Sequence, residues 1–506
     1  MRRAAWLLSV QLLLQAAPAP AARSRRLTPA ARIAAILRSS PAAQRAFWGI
    51  QVVQLSTGAR LVETNPARLF LPASNAKLFT TALALMRLGP EYRFETSLRT
   101  DGPPDAAGRI AGDLRLVGGG DPMLSARVVP YQKGPTTGDP LQAIDALAEQ
   151  VAAGGVRRID GDIVGDDTAY VWEPYPEGWA QDDAVWDYGA PVSALCVNDN
   201  VFSLRLRASG AGAAITLSPP LEFYDIDNRV RAGPGLPTEV RAQRLPGSRQ
   251  LRLWGTLASD PAGETHLLLA IDEPALYAAT ALADALSRRG IAIAGRPVAR
   301  HRYANELPES DPMRLDAAGT AAAPSGFALA RRTSPPLVEL LRVIDKVSQN
   351  LHAEMMLREV GRVRRSKSTR DAGLEEEAQF LAEAGILRDE FHFADASGLS
   401  SSDMVSPEAV VKLLRYMHGT PLRDAWVSLL PVGGEDGTLL TRFSGAAAAR
   451  RIHAKTGSLS QVAALSGYID SRTRGTLVFS ILVNNFNAPA GEIRGLIDRI
   501  ALALTE

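Results

Sequence analysis

Apolar residues at helical spacing and apolar residues in short alternating runs occupy different parts of this chain. From Thr28 to Leu37 the spacing is helical, with Thr28 placed as N-cap and Pro29 in the first turn. Residues 49 to 63 read as a hairpin with strands at 50–55 and 60–62 around Ser56-Thr57-Gly58. After Leu71-Pro72-Ala73-Ser74, an apolar helix is predicted from Asn75 to about Leu88, stopped near Pro90. From about Tyr92 to Gly326, glycine and proline become dense. The apolar runs shorten there to 114–117, 159–164, 251–257 and 266–271, which predicts β-rich material with many turns. Helical periodicity survives at 140–153 and 274–289, and the Ala-, Gly- and Pro-rich stretch 316–324 reads as a linker. Helical patterns return at 336–347, 350–359, 375–384 and 407–417. The chain then predicts a hairpin of 462–469 and 475–483 and a final amphipathic helix over 492–504. The two ends share an α/β texture and the middle does not, so the simplest architecture is one domain split by an insertion.

Length supports that division, because 506 residues exceed a single ordinary core. With 46% hydrophobic and 22% charged residues the composition is globular. A formal charge of +2, from 56 basic and 54 acidic residues, gives no electrostatic case for nucleic acid as partner. The lone cysteine, Cys196, allows no intramolecular disulfide and reads as a buried structural residue. At the start, Arg2 and Arg3 precede a short apolar stretch from Ala4 to Leu14 and a small-residue segment, 16–22. This is the secretory pattern, so residues 1–22 are expected to be a signal peptide and the protein to be exported to the periplasm or cell envelope. A leader left uncleaved would leave a loose membrane association.

Six lysines are present, and among them only Lys77 has a serine three residues before it. A serine at a helix start and a lysine three positions on share one face. The hydroxyl is a poor nucleophile until a base takes its proton. A neutral Lys77 amine can serve as that base if burial and a second nearby cation, such as Lys455, lower its pKa. Ser348-Gln349-Asn350 follows an apolar helix, and Lys455-Thr456-Gly457 precedes a strand. Together the three triplets match the S-x-x-K, S-x-N and K-T-G set. In this reading Ser74 is the nucleophile, Lys77 the base, and Ser348 a proton carrier between Lys77 and the leaving amine. Asn350 holds the substrate amide or orients Lys77. Lys455 and Thr456 bind a terminal carboxylate, and Gly457 lets substrate approach. The N–H groups of Ser74 and Ser458 form the oxyanion hole. No G-x-S-x-G elbow or H-E-x-x-H spacing accompanies the six histidines, and His352 reads as a helix-face or surface residue. No cofactor and no metal are called for. The run Gly118–Gly120 reads as a turn with close backbone packing.

Beyond the triplets, the chain resembles the type-4 low-molecular-mass penicillin-binding proteins, the D-alanyl-D-alanine carboxypeptidase/endopeptidase family. The likeness rests on the segments 71–78, Leu116-Val117-Gly118-Gly119-Gly120-Asp121-Pro122, Gly161-Asp162-Ile163 with Asp166-Asp167, 334–337, 348–354, Asp395-Ala396-Ser397-Gly398-Leu399-Ser400 and 454–459. It runs from about Arg45 to Asn485. Gln349 departs from the family's Asp, and Ser401-Ser402-Asp403 stands where the family shows Arg and then Asn. The resemblance implies an α/β (α+β) fold: a penicillin-binding-protein/serine β-lactamase-like catalytic domain, with an antiparallel sheet flanked by helices, split by a large β-rich insertion. It further implies a catalytic domain from 28–95 and 324–506, an inserted domain from 96–193 and 262–323, and a nested domain from 194–261. The expected substrates are peptidoglycan stem peptides ending in D-Ala-D-Ala, cut through an acyl-enzyme on Ser74, with β-lactams as covalent inhibitors. A β-lactamase or esterase of the same fold is the alternative within this chemistry. A non-catalytic wall-binding scaffold is the alternative outside it.

Overall fold

A computed structural model describes residues 27–134, 136–245, 247–259, 264–304 and 325–506. The expected leader at 1–22 and linker at 316–324 lie outside these residues.

The two chain ends build one five-stranded antiparallel sheet. Its order is Ile452–Leu459, Val462–Ser471, Gly475–Asn484, Phe47–Gln54, Arg60–Thr64. The N-terminal strand Phe47–Gln54 pairs directly with Gly475–Asn484, with Ile50 opposite Ile481. Strands Val462–Ser471 and Gly475–Asn484 are buried along nearly their whole length, as two-sided packing demands. Alternation sends Leu465, Ile469, Phe479 and Ile481 to one face, where they pack with Ile33, Ile493 and Ile497. Tyr468, Val478 and Leu482 go to the other face, into a core with Phe79, Leu83 and Leu341. Helix Lys77–Leu88 lies in that second core and buries nine consecutive residues, Lys77 to Leu85, so it is apolar nearly all round.

The middle of the chain forms three further sheets among the described residues. A five-stranded sheet has the order Pro297–Arg302, Ile163–Val171, Leu114–Val117, Glu95–Thr100, Phe327–Thr333. Three two-residue strands, Ala292–Ile293, Arg158–Ile159 and Arg109–Ile110, make the smallest. Six strands between Val201 and Ala270 make the third. Helices Gln142–Ala153 and Pro274–Arg288 supply the shared core of this region.

Several expectations need correction. The run 159–164 is not one strand. It is divided between Arg158–Ile159 and Ile163–Val171, in different sheets, at Gly161, where a Cβ would lie 2.3 Å from Asp113 Oδ1. The sheets also cross the expected domain limits. Strand Glu264–Ala270 pairs with Val201–Ser209, and Phe327–Thr333 pairs with Glu95–Thr100. The expected breaks after 261 and 323 therefore do not coincide with sheet edges. Cys196 is buried, and Gly118, Gly119 and Gly120 each back onto neighbouring atoms within 2.4 Å of an added Cβ. Among the described residues no helix is long and apolar enough to cross a membrane.

Candidate active site

The helix expected from Asn75 begins differently. Residues Ala73–Ala76 form a 3-10 turn, and the α-helix starts at Lys77. Ala73 is left-handed (φ +46), a costly state for a residue with a Cβ. The turn is held from two sides. Asn75 Nδ2 donates to Lys455 O at 3.2 Å, and Gly398 packs so closely that its Cβ would lie 1.9 Å from Ala73 O. Ser74 is thereby left half-exposed at the turn while Lys77 is fully buried.

Three oxygens surround Lys77 Nζ: Ser74 Oγ at 3.0 Å, Asn350 Oδ1 at 2.6 Å and Ser397 O at 2.6 Å. Asn350 Nδ2 donates to Tyr188 O at 2.8 Å, which fixes the amide so that its oxygen faces the lysine. The last two oxygens can only accept. A neutral amine has two N–H bonds and one lone pair, so donating to Asn350 and Ser397 leaves the lone pair facing the Ser74 hydroxyl. Burial pulls Lys77 down from 10.5 to about 8, against the opposing fields of Asp395, Glu354, Asp345 and Asp403. At neutral pH roughly a tenth of such lysines are uncharged, several hundredfold more than for an ordinary lysine.

The second and third motifs meet beside this centre. Ser348 ends helix Leu337–Val347 in the left-handed region (φ +65), which turns its hydroxyl to Lys455 Nζ at 2.8 Å. Lys455 is fully buried, with its second contact at Thr456 O, 3.0 Å. Burial lowers its pKa and the charge of Lys77 lowers it further, while Asp345 opposes. Ser348 is bonded to Lys455 rather than to Lys77, and the Lys455 amine is buried. The triplet precedes strand Val462–Ser471 as expected and lies within the neighbouring edge strand Ile452–Leu459. Thr456 is half-buried, with Oγ1 2.8 Å from Thr438 Oγ1, and Ser458 is exposed. Gly457 also has a packing reason: its Cβ would lie 2.7 Å from Pro72 O, next to the turn Ala73–Ala76.

Other residues at the site carried no assigned role in the sequence reading. Asp395 accepts from the backbone N–H of Ser397, Gly398, Leu399 and Ser400 at 2.7–3.1 Å, shaping the loop that presents Ser397 O to Lys77. Burial would raise its pKa, but the bonds from Asp403, Trp179 and the loop N–H groups outweigh burial and hold it low. Asp403, at the position departing from the family pattern, is pushed well up by burial and by Asp395. Trp179 Nε1 reaches Asp395 Oδ2 at 2.8 Å. With Tyr188 O it brings the inserted region into the site. Gln349 caps the next helix, accepting from Leu351 N at 3.0 Å, and donates to Asp199 Oδ2 at 3.2 Å. His352 is not on the surface. It is buried, with Nε2 3.0 Å from Asp199 Oδ1.

With the geometry in place, comparison with known proteins is decisive. The profile of the D-Ala-D-Ala carboxypeptidase 3 (S13) family matches residues 29–311 and 312–504. The chain belongs to this family. A D-alanyl-D-alanine carboxypeptidase of Actinomadura sp. (strain R39) is 33% identical over 528 residues, covering 100% of this chain and 90% of that protein. The D-alanyl-D-alanine carboxypeptidase DacB of Haemophilus influenzae is 24% identical, covering 84% and 83%. The crystal structure of penicillin binding protein 4 (dacB) from Haemophilus influenzae superposes with a TM-score of 0.78 at 22% identity, covering 93% of this chain and 98% of that one. The expected penicillin-binding-protein-like fold is therefore correct. As an S13 member the protein is a serine peptidase of the D-Ala-D-Ala carboxypeptidase type.

Proposed function

We propose that Ser74 is the nucleophile of this S13 peptidase and Lys77 its base, acting on peptidoglycan stem peptides that end in D-Ala-D-Ala. The observation that carries this reading is the placement of Lys77, whose two acceptor partners aim its lone pair at Ser74 Oγ. The Ser74 proton passes to Lys77 as Oγ attacks the carbonyl carbon of the penultimate residue. The N–H groups of Ser74 and Ser458 receive the oxyanion. Collapse breaks the C–N bond and leaves an ester on Ser74. The leaving D-alanine nitrogen takes a proton from Ser348, which Lys455, bonded to it at 2.8 Å, replaces, and the proton held by Lys77 restores this pair, so that Lys77 is neutral again. Water then attacks the ester, giving a proton to neutral Lys77, which passes it to Ser74 Oγ as the ester C–O bond breaks, so that Ser74 and Lys77 both return to their starting forms. The same step serves an endopeptidase when the leaving amine belongs to a neighbouring peptide. A β-lactam acylates Ser74 in the same way, and its tethered leaving group keeps the adduct in place. Asn350 orients Lys77, and Thr456, Gly457 and Ser458 line the binding edge. Export to the periplasm or cell envelope follows from the leader pattern at 1–22 and matches this substrate.

The test combines covalent penicillin labelling, with mass mapping, and D-alanine release from a pentapeptide. Ser74→Ala is expected to abolish both while the protein stays folded. Equal activity in that variant overturns the assignment.

A further inference from the structure

Helix Leu337–Val347 controls more of the site than Ser348. Just before its end, Lys346 Nζ donates to Leu430 O at 2.7 Å and to Asp436 Oδ2 at 2.6 Å. Asp436 Oδ1 accepts from Val432 N at 2.8 Å, closing the turn. The next residue, Gly437, is left-handed (φ +53), and its Cβ would lie 2.4 Å from Lys346 O. This clamp fixes the short 3-10 turn Gly437–Leu439, whose middle residue is Thr438. Thr438 Oγ1 sits 2.8 Å from Thr456 Oγ1, and both residues are half-buried. One helix end therefore holds the partners of both Lys455 and Thr456.

The hydrogen-bond count decides what the two threonines can do. Each hydroxyl carries one proton and can accept two bonds. Neither has another side-chain hydrogen bond among the described residues, so one proton joins the pair and one remains to be donated outward. Thr456 lies on the edge strand, so its proton is the one donated outward, and Thr438 supplies the internal bond that holds the Thr456 hydroxyl in that orientation. Lys455 is buried against Ser348 and leaves the anion-reading part of this edge to hydroxyls. We infer that Thr438 holds the Thr456 hydroxyl toward the C-terminal carboxylate of the peptide, which makes Thr438 a positioning residue for substrate recognition. This rests on the carboxypeptidase reading given above. A hydrogen bond to an ionised group is worth roughly tenfold in affinity or more, and losing the Thr438 bond forfeits the part of it that depends on a fixed Thr456 hydroxyl.

Kinetics of D-alanine release from an acyl-D-Ala-D-Ala peptide test the inference, with thermal unfolding as a check on folding. Thr438→Val is expected to lower kcat/KM by about fivefold, mainly through KM, short of the full value of the carboxylate bond. Thr438→Ser, which keeps the hydroxyl, should stay within about twofold of wild type. The double variant Thr438→Val/Thr456→Val should be no more than about twofold worse than Thr456→Val alone, because the pair acts together. Unchanged kinetics in Thr438→Val, an equal loss in Thr438→Ser, or losses that multiply in the double variant each overturn the proposal. A wild-type protein that labels with penicillin at a residue other than Ser74 would remove the underlying reading instead, a result distinct from all three.

Discussion

Lys455 Nζ lies 2.8 Å from Ser348 Oγ, in a fully buried position beneath the strand edge. In the proposed mechanism this amine exchanges a proton with that hydroxyl. Removing it in Lys455→Met should lower the rate of acylation by about a hundredfold, the usual scale for loss of a proton-transfer group, with a smaller change in KM. Rapid-mixing measurement of penicillin acylation checks this. A loss confined to KM would return Lys455 to carboxylate binding.

The acylation rate should climb with pH as Lys77 loses its proton near 8. Asp345 is fully buried, bonded through Oδ2 to Thr81 Oγ1 at 3.1 Å, with no partner for Oδ1 among the described residues, and its field favours the charged form of Lys77. Replacing it in Asp345→Asn removes a negative charge, so the ammonium is less favoured and the rising limb moves to lower pH. Asp395, Glu354 and Asp403 still act on Lys77 in that variant, so the limb should shift rather than vanish. The pH profile of acylation in the two proteins measures this, and a shift to higher pH contradicts it.

Gln349 explains one departure from the family pattern. Its amide donates to Asp199, which also accepts from Arg127 and His352. In Gln349→Glu two carboxylates face each other where an N–H···O bond was. Destabilisation of roughly 1–3 kcal/mol is expected at neutral pH, shrinking in acid as the new carboxyl protonates. Urea unfolding at two pH values reads the effect.

Gly398 has φ +77, and its Cβ would lie 1.9 Å from Ala73 O. A methyl group there collides with backbone and also strains its own residue. Gly398→Ala should cost roughly 2–4 kcal/mol and sharply reduce labelling, because the displaced atom belongs to the residue preceding Ser74. Unfolding temperature and penicillin labelling together test it.

The parts of the site legible in the sequence are those where side-chain identity carries the chemistry at short spacing. Ser74 with Lys77, and Ser348 with Asn350, are such pairs. Ser397 and Tyr188 act through carbonyl oxygens, which every residue possesses, so their residue types carry no signal. Trp179 comes from the inserted region, and only the tertiary fold brings it to Asp395. Lys455-Thr456-Gly457-Ser458 lacks the apolar alternation of a strand, and its extended form is imposed by pairing with Ala463–Ser466. The hairpin at 462–483 was legible because its apolar runs are long and its turn is polar. The break inside 159–164 was hidden because Gly161 interrupts an otherwise continuous pattern.

The pairing of Phe47–Gln54 with Gly475–Asn484 has a consequence for synthesis. The serine emerges early from the ribosome, whereas Lys455 and the strands that seat it are among the last segments made. Until the C-terminal hairpin closes over the first strand, Ser74 has neither the wall behind its turn nor the second amine beside it. On the proposed chemistry, the newborn chain is expected to stay inert through most of its translation, gaining competence only with a late loop closure.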